Sequence, residues 1–246
     1  MKKLFFLLTV VLVLSVTFSQ IIRAIMNHRR PPEVFYATTI ILDAGHGGKD
    51  GGASTVDGIH ERDIVLVITQ IIEEQLRLQG FNVVMTRSDN ADLASENARN
   101  RKKEDLARRV DIFNSTENAI AISIHANAIS NTRWSGAQTF YDPKRLENKE
   151  LATHIMTAMR SNIAGLEREQ RPISNIYVLR NSTIPTALVE VGFLSNPVEA
   201  KQLACPDYQR LIAYAIFEGI LSYIEFAGLR VPLTDTGLEL PAEQSE

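Results

Sequence analysis

A single cysteine, Cys205, stands in the 246 residues. No intrachain disulfide can form, so stability rests on the core. Basic charge is short as well: 26 Lys and Arg face 29 Asp and Glu, a formal net charge of −3. A nucleic-acid binder shows the opposite excess or a basic face, and neither is evident. No internal repeat or low-complexity block appears, which excludes a repeat-built binding array. The glycines Gly45, Gly47, Gly48, Gly51 and Gly52 occur without G-x-G-x-x-G and without a Walker lysine–hydroxyl pair, which argues against a phosphate cradle. Tryptophan is down to one, Trp134. Sugar stacking is one use for it, and filling part of a core is the commoner one.

What is present begins with an apolar leader. Lys2 and Lys3 precede the run Leu4–Phe18, which continues less purely to Met26. Export is expected. No clean small-x-small site follows, so residues 1–26 read as a signal peptide or, slightly favoured, a retained membrane anchor that would tether the protein. Residues 27–37 read as a linker, where Pro31 and Pro32 cannot continue a helix. One catalytic domain of roughly 200 residues, 38–229, is long enough to bury a core, and the polar, acidic stretch 230–246 is expected to fray.

Between linker and tail, strand and helix patterns alternate. Strands are expected at Phe35–Asp43, Phe81–Thr86, Ala119–Ile124, Gly136–Tyr141, Asn175–Leu179 and Thr186–Val191. Helices are expected at Asp63–Leu78, where Ile64, Val65, Ile68, Ile72 and Leu76 recur at helical spacing, and at Glu104–Ser115, Glu147–Ile163 and Pro206–Phe226. That order predicts an α/β three-layer sandwich with a mainly parallel twisted sheet flanked by helices.

Four segments each bring a metal-competent or acid/base residue toward the carboxyl edge of that sheet, where ligands of open α/β folds gather. They are His46 in Leu42-Asp-Ala-Gly-His-Gly-Gly48, Glu61 in His60-Glu-Arg-Asp63, His125 in Ser123-Ile-His-Ala-Asn127 and Glu190 in Val189-Glu-Val-Gly-Phe193. Two histidines and a carboxylate make a zinc set with an open fourth position, and a further glutamate is what a zinc hydrolase needs as its base. Glu61 falls near the start of a helix, whose positive end favours a carboxylate. His60, next to Glu61, points elsewhere and reads as a surface or supporting group, and His154 as part of a solvated helix face. Asn127 and Arg87 either touch substrate or hold loops by hydrogen bonds. Arg108 and Arg109 read as structural or solvated. The glycines around His46 permit turns with positive φ and a close approach of substrate to a metal.

Taken as a set with Met85-Thr-Arg87 and Val189-Glu-Val-Gly-Phe-Leu-Ser-Asn196, these motifs resemble the zinc-dependent N-acetylmuramoyl-L-alanine amidases of the Amidase_3 type, across roughly residues 38–227. The resemblance implies that His46, Glu61 and His125 hold Zn2+, that Glu190 is the catalytic glutamate, and that the substrate is peptidoglycan, cut between muramic acid and the stem peptide. Within the family the short layout, the apolar leader and Trp134-Ser-Gly-Ala-Gln138 are most similar to sporulation amidases. That similarity implies action outside the cytoplasm on spore cortex, formation of muramic δ-lactam after a deacetylase has acted, and an accessory activating protein as a possible partner. Two rival readings stay open on the residues: a zinc peptidase acting within the stem peptide, and an inert peptidoglycan-binding scaffold.

Overall fold

The sheet grows from β1 (Thr39–Ala44), where Ile40, Ile41 and Leu42 are all fully buried. Consecutive apolar residues suit a parallel strand covered on both faces. A computed structural model describes Ser15, Thr17, Phe18 and Gln20 together with residues 38–55 and 57–229. In it, β1 is followed by α1 (Glu61–Leu78), β2 (Asn82–Met85), α2 (Arg101–Ser115), β3 (Ala119–Asn127) and β4 (Gln138–Tyr141). Next come α3 (Leu146–Asn162), the two-residue β5 (Arg171–Pro172), α4 (Tyr177–Asn181), β6 (Thr186–Phe193), α5 (Pro197–Leu203) and α6 (Pro206–Phe226).

The strands lie in the order β2-β1-β3-β6-β4-β5. The first four run parallel, β4 pairs antiparallel with β6, and β5 follows β4 in parallel. The expected mainly parallel α/β sandwich is therefore present. On one face Ile41 and Ala121 pack with Val110 and Phe113 of α2 and Val178 of α4. Because side chains alternate along a strand, Ile40, Leu42 and Ile122 turn to the opposite face, which α1, α3 and α6 cover.

Local chemistry sets the helix boundaries. Asn100 caps α2 by accepting from the Lys103 amide at 3.1 Å, and Asn196 caps α5 through the amides of Val198 and Glu199. Pro206 opens α6 at a position whose amide needs no partner within the helix. Gly219 then lets α6 and α3 touch backbone to backbone. A Cβ there would stand 2.4 Å from Ile155 Cα.

Three differences from the sequence reading have physical causes. The segment Asn175–Leu179, read as a strand, instead runs through the extended cap residue Ile176 into the short helix α4 at Tyr177. Its β-branched Ile176 and Val178 imitate a strand, and a run this short has no decisive period. Helix α5 was not anticipated, although Asn196 followed by Pro197 is a helix-start signal. Finally, β3 and β6 continue to Asn127 and Phe193, so His125 lies inside its strand rather than beyond it, while Glu190 is within β6 as expected.

The leader reading for residues 1–26, the linker 27–37 and the tail 230–246 lie outside the described residues, apart from four leader positions that are helical and exposed. Among the described residues no helix is long and apolar enough to cross a membrane.

Replacing Gly219 with valine is expected to lower stability by about 2–3 kcal/mol through overpacking between α3 and α6, measured by urea denaturation. The glycine's own helix penalty, about 1 kcal/mol, is too small to offset a clash with backbone.

Candidate metal centre

Beyond Ala44 the chain turns sharply, and His46 adopts a left-handed backbone with φ 60°, rare for a residue bearing a Cβ. Its Nδ1 lies 3.1 Å from Asp50 Oδ2 and its Nε2 lies 3.1 Å from Glu61 Oε1. The same Glu61 oxygen lies 3.0 Å from His125 Nδ1 and accepts the Ala126 amide at 3.0 Å, while Oε2 accepts the Ala53 amide at 2.9 Å. Glu61 is the first residue of α1 and is buried.

One ligand atom from each of His46, Glu61 and His125 falls within 4.8 Å of the other two. Two donors about 2.1 Å from a shared ion at the tetrahedral angle stand about 3.4 Å apart. The cluster is therefore of the right size for a small cation, and two imidazoles with a carboxylate are donor types that zinc accepts. Burial would raise the pKa of Glu61, yet hydrogen bonds from His125 and His46 hold its carboxyl well below the usual carboxylate range. For His46, burial works against the charged imidazolium, and Glu61 and Asp50 overcome it to raise the pKa.

Two glycines make the cluster possible. A Cβ on Gly45 would lie 2.3 Å from His125 Cε1, and one on Gly52 would lie 2.5 Å from Glu61 Oε2 and 2.8 Å from His46 Cδ2. What these positions admit is the ligand side chains themselves, rather than the substrate that the sequence reading assigned to them.

Glu190 pairs with His125 across β3 and β6, so both side chains leave the sheet on the same face. Together with His46, Leu106 and Tyr177 they line a cleft of about 300 Å³. Among the described residues Glu190 Oε2 is buried without a hydrogen-bond partner. Burial pushes its carboxyl up to about 7; His125 opposes the shift and Glu61 adds to it. Two glutamates a few ångströms from the same histidines are thus held in opposite protonation tendencies by their surroundings.

Behind the cluster lies a buried ion network. Arg109 donates to Asp43 Oδ1 at 2.6 Å, to Asp105 Oδ2 at 2.9 Å, to the Ala44 carbonyl at 2.8 Å and to the carbonyl of His46. Asp43 also accepts from Thr86 Oγ1 at 2.7 Å and Ser123 Oγ at 2.6 Å. Burial raises the Asp43 pKa, but Arg109 and these two hydroxyls bring it below its ordinary value.

The structure also decides the supporting residues. Arg87 is buried and donates to the carbonyls of Ala44, Gly45, Asp89 and Arg62, so it holds the loops and its fork is not offered to substrate. The backbone carbonyl of Asn127 accepts from Leu194 at 2.7 Å. His60 bonds Ser54 Oγ at 2.8 Å, outside the metal cluster. His154, expected on a solvated face, is half-buried, bonds Ser222 Oγ at 2.8 Å and packs on Phe226. Trp134 does not fill the core: it is 50% exposed, with the Arg168 guanidinium 5.3 Å from its ring and 5.1 Å from that of Phe193. Asp50 and Asp43 were missed as functional supports, though each lies within four residues of His46, where an acid that orients a ligand is readily sought.

Two substitutions separate cluster from scaffold. Gly45→Ala is expected to displace the His125 ring and weaken metal binding at least about ten-fold, the scale on which misoriented ligands act, measured by competition with a chelating dye while circular dichroism stays native. Arg109→Met strands buried Asp43 and Asp105 and is expected to cost about 3–5 kcal/mol in urea denaturation.

Comparison with known proteins agrees with this architecture. The profile of the family described as N-acetylmuramoyl-L-alanine amidase matches residues 40–222. The germination-specific N-acetylmuramoyl-L-alanine amidase of Bacillus subtilis (strain 168) is 45% identical over 185 residues, 74% of this chain and 77% of that protein. The CwlD amidase from Clostridioides difficile, solved in complex with the GerS lipoprotein, superposes with a TM-score of 0.74 at 39% identity, covering 76% of this chain and 98% of that one. The catalytic domain of CwlV from Bacillus (Paenibacillus) polymyxa var. colistinus gives a TM-score of 0.68 at 30% identity, with 76% and 98% covered. With its fold and most of its length shared with these enzymes, the chain belongs to the N-acetylmuramoyl-L-alanine amidase family of hydrolases.

Proposed function

We propose that this protein hydrolyses the amide between the lactyl group of muramic acid and the L-alanine of the peptidoglycan stem peptide, using zinc held by His46, Glu61 and His125, with Glu190 as the catalytic base. The observation that carries the reading is Glu190 Oε2, buried and, among the described residues, without a hydrogen-bond partner, at the strand position paired with His125. A bound zinc ion supplies Lewis acidity, which polarises a carbonyl and acidifies water. The Glu190 carboxylate takes the proton from the attacking water and returns it to the departing amine nitrogen of L-alanine. Asp50 fixes the tautomer of His46 by accepting from Nδ1, which leaves Nε2 facing the cluster. Gly45 and Gly52 keep the three donor groups close.

The germination-specific relative and the CwlD neighbour support a role in spore cortex. There the freed lactyl carboxyl is the group that closes onto the muramic amine, once deacetylated, as the δ-lactam. The GerS lipoprotein bound to the Clostridioides difficile enzyme supports an accessory protein as partner and action outside the cytoplasm. The leader 1–26 would deliver or tether the catalytic body, residues 38–229, at that face.

Digesting purified peptidoglycan with zinc-loaded protein and weighing the products tests the reaction. Peptides with a free N-terminal L-alanine and an uncut glycan are expected; cleavage within the stem peptide would instead identify a peptidase, and no release in the presence of the accessory protein would identify an inert binder. Glu190→Gln is expected to retain zinc and lose at least about 100-fold in turnover, the scale of general-base catalysis. His46→Ala is expected to lose both, read by metal analysis and peptide release. Full turnover in Glu190→Gln would remove that residue from the mechanism.

A further inference from the structure

The cleft that holds Glu190 does not end at the metal cluster. Asp50, Lys102 and Asp105 line it, and the same three residues line a second hollow of about 240 Å³ with Lys49, Asp92 and Arg101. The two spaces therefore adjoin across these residues, and together they mark a groove from Glu190 past the turn at Asp50 to the amino end of α2. Beyond Glu190 its acids are committed: Asp50 to His46 at 3.1 Å, Asp92 to Arg101 at 2.7 Å and Asp105 to Arg109 at 2.9 Å. Its lysines are not. Lys102 makes one long contact, 3.5 Å from Asp50 Oδ2, with a side chain 68% exposed, and among the described residues Lys49 has no ion-pair partner.

We propose, resting on the amidase reading above, that this groove is the stem-peptide subsite and that Lys102 binds a free carboxylate on the peptide's second or third residue. Distance fits that assignment. Contacts of 3.1 and 3.5 Å link His46 Nδ1 to Asp50 and Asp50 to Lys102, and the imidazole adds its own width. The ammonium thus stands no more than about two and a half extended residues, at about 3.3–3.6 Å each, from the metal-facing nitrogen. Charge fits as well, because away from Glu190 the groove's uncommitted groups are the lysines, and the amino end of α2 adds its positive dipole. An ammonium is suited to this task as a point charge on a flexible stem that follows a carboxylate without demanding one geometry.

The test compares N-acetylmuramoyl-L-alanyl-γ-D-glutamyl-L-lysine with the same compound amidated at the glutamyl α-carboxylate and, separately, at the terminal carboxylate. Binding is measured by calorimetry on zinc-loaded Glu190→Gln protein, and KM and kcat on the wild type. One of the two amides is expected to bind about ten-fold more weakly, the scale of one charge-assisted hydrogen bond at a partly exposed site. In Lys102→Met that discrimination disappears and KM rises with kcat and zinc content unchanged, while Lys102→Arg restores most of it. Equal binding of acid and amides by the wild-type groove, or discrimination that survives in Lys102→Met, overturns the proposal. So does a Lys102→Met defect confined to kcat and zinc content, which would mark the lysine as a support for Asp50. Acid-selective binding without release of L-alanine-terminated peptide by the wild type would overturn the amidase reading alone.

Discussion

A guanidinium group with almost no exposure ties the first strand to the second helix. Arg109 reaches from α2 to Asp43 on β1, to Asp105 one turn back, and to the carbonyls of Ala44 and His46. Burying a cation this deeply is costly unless every donor finds an acceptor, and here two carboxylates and two carbonyls supply them. Because the last of those carbonyls belongs to His46, the left-handed turn that aims the imidazole is anchored from below. Arg87 grips the same turn from the side through Ala44 and Gly45. The rim is thus built from the core outward, with two arginines holding backbone so that two histidines can be held still.

From that anchored turn the sheet does the rest. Parallel pairing of β1 with β3 and of β3 with β6 brings Asp43, Ser123, His125 and Glu190 onto one face. Glu61 comes from a helix terminus, a wholly different element, and is hydrogen-bonded on both oxygens. Glu190 comes from mid-strand and one of its oxygens has no partner among the described residues. The two side chains are chemically identical, and surroundings alone hold the pKa of one carboxyl down and push that of the other up.

Much of this was legible in the sequence, because the dominant signals are local. Alternating apolar runs and helical spacing gave the layers, and His46, Glu61, His125 and Glu190 were each marked by a short motif at a strand mouth or helix start. What was not legible depended on contacts distant in the chain. Arg109 and Asp43 are 66 residues apart, and nothing local distinguishes that arginine from its solvated neighbour Arg108. For Arg87 the sequence left substrate contact and loop-holding both open, and its four carbonyl partners decide for the second. Trp134 failed the general expectation for aromatics because its loop stands at the rim and Arg168 covers one side of it. In Asn175–Leu179 the residue types were read correctly and the geometry wrongly, since five residues carry too little periodicity to tell an isolated turn of helix from a strand.

The backbone amides of Ala53 and Ala126 give Glu61 its place using only the polypeptide's own bonds. A small zinc domain whose ligands have no other reason to meet cannot fold until the ion arrives. Here the chain itself brings the donors together. The position of that carboxylate is consequently set by hydrogen bonds that belong to the fold itself.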